Sequence, residues 1–233
     1  MYNNNYGSQI DTRSMVFTLI AINVLFFAVS SFLPGLFPYN SPDFFLGLHY
    51  PSSTYFKPFQ IITHMFMHGG VAHIFFNMFN LYMFGNILER VWGPRRFVEF
   101  YFLTGFGAML LYTAVQALEV YNICGSFAPS NIIVPENSQL WNIINEPIIG
   151  ASGAVFGILM AFAMLFPNTE LYIMFIPVPV KAKYLIGAMV CWELYSGFAN
   201  NPNDHVAHFA HIGGVLIAFI IIKIWNRNRN VLY

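Results

Sequence analysis

The residues best suited to chemistry in this chain are one serine, several histidines and one asparagine, set at the openings of three apolar stretches. GASGAVFG places Ser152 between Gly150 and Gly153. HVAHFAHIGG supplies His205, His208 and His211, spaced by three so that they share one side of a helix. HMFMHGGVAHIFFNMFN supplies His64, His68, His73 and Asn77, the last two being four apart and hence on one helical face. A serine hydroxyl is a weak nucleophile until a base takes its proton, and an imidazole with a pKa near 6.5 suits that task at neutral pH. An acyl-transfer reaction also needs donors aimed at the developing oxyanion. The side chains of His73 and Asn77 and the amide of Ser152 are the available ones. The carboxylates nearest His211 in sequence, Glu193 and Asp204, have no evident register with it, so a Ser152–His211 dyad is the economical expectation.

Each feature has a plainer reading. A serine among glycines in a membrane helix is ordinarily a packing residue. Histidines at helix openings can be interfacial, or ligands for a metal or haem, and Asn77 can simply bond across helices. The conjunction on three helices at one depth favours catalysis.

The elements that position these residues follow from composition. Of 233 residues, 57% are hydrophobic, 18% aromatic and only 9% charged, against about 25% charged in an ordinary soluble domain. So few charges cannot cover a water-soluble surface of this size, and membrane solvation accounts for the difference. Apolar stretches near the roughly 20 residues needed to cross a bilayer occur at Met15–Leu33, Gly70–Leu88, Phe97–Ala117, Ile149–Phe166, Lys183–Ala199 and His205–Trp225. The expected fold is all-α: a polytopic six-helix bundle forming one membrane domain over residues 1–233. The Leu171–Val180 stretch, interrupted by Pro177 and Pro179, reads as an interfacial loop, because proline removes amide donors that a lipid-exposed helix needs. The leader before Met15 lacks a small-x-small cleavage site, so the first span reads as a retained helix. Cys124 and Cys191 give no disulfide framework, and a formal net charge of zero gives no case for nucleic-acid binding.

Six spans put Arg13, Arg90, Arg95, Arg96, Lys181, Lys183, Lys223, Arg227 and Arg229 on one face and Lys57 on the other, which predicts that both termini are cytoplasmic. A bacterial inner membrane is the expected setting. Helices two, four and six then all begin on the outer face. Counting from Ile149 and His205 at ~1.5 Å per residue, Ser152 lies ~4 Å and His211 ~9 Å along its helix. Gly150, Gly153, Ala154, Gly157 and Ala161 on one helix, with Ala210, Gly213, Gly214 and Ala218 on the other, permit the close approach that contact requires.

The same residues resemble the motifs of the rhomboid family of intramembrane serine proteases. GASGAVFG resembles its nucleophile motif, AHIGG its histidine motif and HMFMHGGVAHIFFN its second-helix signature. GNILERVWGPRRF, with Gly85, Glu89, Gly93 and Phe97, resembles the stretch that follows. The resemblance implies that Ser152 attacks the scissile carbonyl and His211 shuttles the proton. It further implies that His73 and Asn77 border the oxyanion and that Gly150 lets substrate backbone come close. Phe156 stands where many relatives have a tyrosine packed on the histidine, Phe59 and Gln60 replace a Trp-Arg pair of the first outer loop, and Ala218 replaces a glycine. The implied substrates are single-span membrane proteins, cleaved near the outer end of their helix, with no metal or organic cofactor. The competing expectations are a catalytically silent relative that binds membrane clients, and a metal- or haem-binding protein using His64, His68, His73, His205, His208 and His211. A zinc protease is disfavoured, since H-E-x-x-H does not occur.

Overall fold

Long apolar runs with hydrogen-bonded interiors build almost everything in the molecule. A computed structural model describes residues 14–129, 134–136, 138–172, 178–199 and 206–227. His205, Asp204, Arg13 and Arg229 lie outside the described residues. The long helices are α1 (Met15–Phe32), α2 (Val71–Trp92), α3 (Pro94–Cys124), α4 (Ser152–Leu165), α5 (Ala182–Ala199) and α6 (His208–Arg227). Helices α1, α2, α3 and α6 are long and apolar enough to cross a membrane, and α4 is a shorter apolar helix of 14 residues. The connection between α4 and α5 forms a small antiparallel hairpin, β1 (Glu170–Tyr172) with β2 (Pro179–Lys181). Its turn, with Pro177, lies outside the described residues.

Local chemistry sets the ends. Gly93 at φ +81° makes the turn from α2 into α3, where Pro94 occupies a first-turn position that needs no amide donor. Gly125 at φ +71° closes α3 in the left-handed region. Helix α2 passes through a π-helical turn at Leu81–Gly85. Two expected starts move three residues later. Gly150 sits at φ +126°, which no right-handed helix admits, so α4 begins at Ser152 and not at Ile149. Val206 and Ala207 are not helical, so α6 begins at His208. Ser152 is thus the first residue of its helix and His211 the fourth.

Small residues bring α3, α4 and α6 together. A methyl group on Gly214 would collide with the Gly153 carbonyl, and one on Gly153 with Ala108. One on Gly213 would lie 2.8 Å from both the Ala108 Cα and the Gly107 oxygen, and one on Gly157 2.6 Å from Thr104 Cβ. Ala218 is fully buried. The outward faces remain apolar, with Leu25, Leu110, Leu216, Ile220 and Ile224 exposed. Such a surface is suited to lipid and not to water.

The site end of the bundle is closed by two connecting segments that grip each other. Leu48 and Ile148 exchange both backbone hydrogen bonds at 2.9 Å. The Tyr50 amide donates to the Ile144 oxygen, Ser53 Oγ donates to Asn145 Oδ1 at 2.7 Å, and Tyr50 Oη donates to the Phe127 oxygen. Gln60, buried, holds the first segment from within: its Nε2 donates to the Phe45 and Tyr55 carbonyls at 3.1 Å each, and its Oε1 accepts from the Lys57 amide.

Candidate active site

Ser152 and His211, 59 positions apart, meet across the α4–α6 contact. His211 Nε2 lies 2.9 Å from Ser152 Oγ. The other ring nitrogen is also engaged, Nδ1 lying 2.7 Å from Glu193 Oε2 on α5. A carboxylate can only accept, so Nδ1 carries the proton and donates to Glu193. The Nε2 lone pair is therefore left to accept the serine O–H, the tautomer a general base requires. His208 Nδ1 reaches the same carboxylate oxygen at 2.7 Å. The ring of Phe156 lies flat on His211, with centroids 4.2 Å apart and planes 11° apart. The serine is held at an N-terminus, where the first helical amides have no partner within their own helix, and its own amide is one of these.

The donors expected around an oxyanion separate into two kinds. A methyl group on Gly150 would lie 2.9 Å from His73 Nε2 and 3.5 Å from Ser152 Oγ, so the glycine keeps open the space flanked by both side chains. The Gly150 amide itself donates to the His64 carbonyl at 2.8 Å, which fixes the turn. Asn77, one turn further along α2, instead donates from Nδ2 to the His73 carbonyl at 3.0 Å, inside its own helix. Its amide retains a second hydrogen.

Behind these groups, His64 and His68 are buried neutral supports. His64 Nδ1 bonds the Gln60 carbonyl at 2.8 Å, and burial pushes its pKa down to about 4. Burial, with His73 adding to it, pushes His68 down to about 4 as well. A cavity of about 20 Å³ adjoins Ser152, lined by His64, Gly150, Gly153, Ala207 and Ala210. That is room for a single water.

Glu193 is the residue that sequence reasoning left without a place. A carboxylate in an apolar stretch is itself a functional signal, but the register of α5 against α6 depends on how the intervening turn folds. The set expected for a metal or haem does not assemble as a whole. Among the described residues the cluster able to hold a cation is Glu193, His208 and His211, whose ligating atoms lie within 4.8 Å of one another. His205 lies outside the described residues.

The chain is thus a helical membrane protein with a serine hydrogen-bonded to a histidine and an open glycine turn beside them. A sequence model of the Rhomboid domain matches residues 55–228, and the chain belongs to the rhomboid family. It is 31% identical to RHOMBOID-like protein 12, mitochondrial, of Arabidopsis thaliana over 72% of this chain and 46% of that protein. It is 30% identical to Rhomboid-like protein 16, chloroplastic, of the same plant, over 72% and 48%. It is 28% identical to Rhomboid protease AarA of Providencia stuartii, over 67% and 52%. The chain spans about half the length of these relatives. Their settings are mitochondrial, chloroplast and bacterial, so the kinship establishes an integral membrane protein without selecting the bacterial inner membrane.

Proposed function

We propose that the protein is an intramembrane serine endopeptidase that cleaves single-span membrane proteins near the outer end of their helix. The carrying observation is the 2.9 Å contact between Ser152 Oγ and His211 Nε2, made by residues from two different helices. Kinship with a protein named as a rhomboid protease supports the same reading.

In this reaction Ser152 Oγ attacks the scissile carbonyl carbon while its proton passes to His211 Nε2. The C=O becomes a tetrahedral oxyanion, stabilised by the Ser152 amide, His73 and the remaining hydrogen of Asn77. Collapse breaks the C–N bond, and the proton on Nε2 goes to the leaving amine. Water, admitted through the cavity beside Ser152, then attacks the acyl-enzyme. His211 takes that water's proton and returns one to Ser152 Oγ. Gly150 leaves room for the substrate backbone, and Phe156 holds the imidazole in plane. We further propose six membrane crossings, with α4 and α5 completing the four longer apolar helices, and both termini in the cytoplasm. No metal or organic cofactor takes part.

Purified protein in detergent is expected to cut a single-span substrate and to be labelled by a fluorophosphonate, with Ser152→Ala losing both while keeping its thermal midpoint. Undiminished cleavage by Ser152→Ala overturns the proposal. A folded wild type that binds such substrates but neither cuts them nor takes the label is instead the catalytically silent relative.

A further inference from the structure

We propose that Glu193 is a positioning residue for His211, so that the reacting unit is a Ser–His–Glu chain whose acid is delivered by α5. The inference rests on the protease reading above and deepens it. Three observations carry it. First, the contact is linear in its logic: Ser152 O–H to His211 Nε2, then His211 Nδ1–H to Glu193 Oε2, at 2.9 and 2.7 Å. Second, Glu193 is only 9% exposed, and the other buried residues of α5, Ala182 and Ile186, are apolar. A carboxylate there works against partition of the helix into lipid, so packing alone does not explain its presence. Third, His208 brings a second N–H to the same oxygen. Two donors on one lone-pair-bearing oxygen fix the carboxylate in place, and its remaining freedom to turn away from His211 is small.

The carboxylate does two things for the histidine. It holds the imidazole in the tautomer whose Nε2 accepts, and its negative charge stabilises the imidazolium formed when Ser152 gives up its proton. Among the described residues, the groups that face His211 are Glu193 from α5, His208 from α6, Ser152 from α4 and His73 from α2. Glu193 is the one anion in that set. Removing its charge makes the imidazole easier to deprotonate and a weaker base. The acid limb of the rate profile should then move to lower pH even as the plateau falls.

The test compares wild type, Glu193→Gln and Glu193→Asp in detergent, reading kcat and KM on a single-span substrate and the pH dependence of fluorophosphonate labelling. Glu193→Gln, which keeps the shape and one acceptor, is expected to lose at least tenfold in kcat with KM within threefold of wild type. Its acid limb should lie at least half a pH unit lower. Glu193→Asp should keep the acid limb of wild type, at a reduced plateau. A purely structural tie between α5 and α6 predicts lower thermal midpoints with no movement of the limb. A limb and kcat unchanged in Glu193→Gln overturn the proposal. If Glu193→Gln does not fold, Glu193→Leu, which removes the carboxylate outright, carries the test, and a wild-type kcat there overturns it. Chelation with EDTA should leave wild-type labelling unaltered; loss restored by zinc would assign these three residues to a metal instead. Because Ser152→Ala tests the nucleophile alone, cleavage persisting in that variant sinks the protease reading, whereas a normal Glu193→Gln sinks only this inference.

Discussion

The imidazole of His211 is constrained on both edges and one face: Ser152 at Nε2, Glu193 at Nδ1 and Phe156 flat against the ring. Such constraint lowers the reorganisation needed for proton transfer. The donors proposed for the oxyanion are not equal. His73 Nε2 faces the space kept open by Gly150, whereas Asn77 spends one hydrogen on its own helix. His73→Ala is therefore expected to lower kcat by about 100-fold, in the range for losing one oxyanion donor, and Asn77→Ala by less. Steady-state kinetics on one substrate ranks them, and the reverse order would refute this division. A second expectation concerns His64 and His68, each depressed to about 4 from an ordinary 6.5 chiefly by burial. The unfolded chain binds these protons first, so their stability is fully present above pH ~6.5 and is lost as pH falls towards 4. The thermal midpoint in detergent should drop steadily from pH 7 to pH 4.5, and less steeply in His68→Asn. Ser152, His211 and His73 stand out in the sequence as candidates because their chemistry is rare in an apolar chain, and the structure brings them near one another. Glu193 was visible as an expensive residue, but its partner was not, since a hydrogen bond across two helices depends on rotation and tilt that spacing does not encode.

At the scale of elements, the site exists because α4 and α6 approach to backbone contact. The Gly153 carbonyl occupies the place where a side chain on Gly214 would begin. Gly214→Val should push the helices apart, cost about 1–3 kcal/mol or more from overpacking, and abolish fluorophosphonate labelling through the lengthened Ser152–His211 contact. Labelling at the wild-type rate would show that the helices accommodate the side chain elsewhere. Helix α1 depends on a different device. Glu89, on α2, accepts from the Ser14 hydroxyl at 2.7 Å and from the Met15 and Val16 amides at 2.7 and 3.1 Å. A carboxylate at a helix N-terminus satisfies orphan donors and complements the dipole. Glu89→Ala should cost about 1–3 kcal/mol, measured as a lower thermal midpoint with kcat of the surviving folded fraction preserved. The apolar stretches announced most of these helices. Their starts were less visible, because Gly150 in a positive-φ turn reads in sequence like one more small residue of α4. The grip of Leu48 on Ile148, which closes the site end, carries no periodic signal at all.

For the molecule as a whole, the distribution of basic residues bears on which way the site faces. The serine, the histidines and the two interlocked connecting segments share one end of the bundle with Lys57, while Arg95 sits at the turn between α2 and α3 at the other. Lys and Arg near helix ends are retained on the cytoplasmic side, and eight of the other nine basic residues fall with Arg95 when six helices cross. In the proposed six-crossing arrangement the site is expected to open outward, where water is plentiful. Both reporter positions are accessible: Lys57 is exposed and the Arg95 side chain is 92% exposed. Cys124 and Cys191 are free thiols, so Cys124→Ser and Cys191→Ser give a background without reactive sulfur. In intact cells whose inner membrane is the only barrier, Lys57→Cys in that background should react with a membrane-impermeant maleimide. Arg95→Cys should react only after the membrane is opened. Reaction of Arg95→Cys from outside, with Lys57→Cys protected, would invert the molecule and require cleavage on the cytoplasmic side of the substrate helix. Reaction of both from outside would remove one crossing between them and with it the six-helix arrangement, because α2 alone separates the two positions.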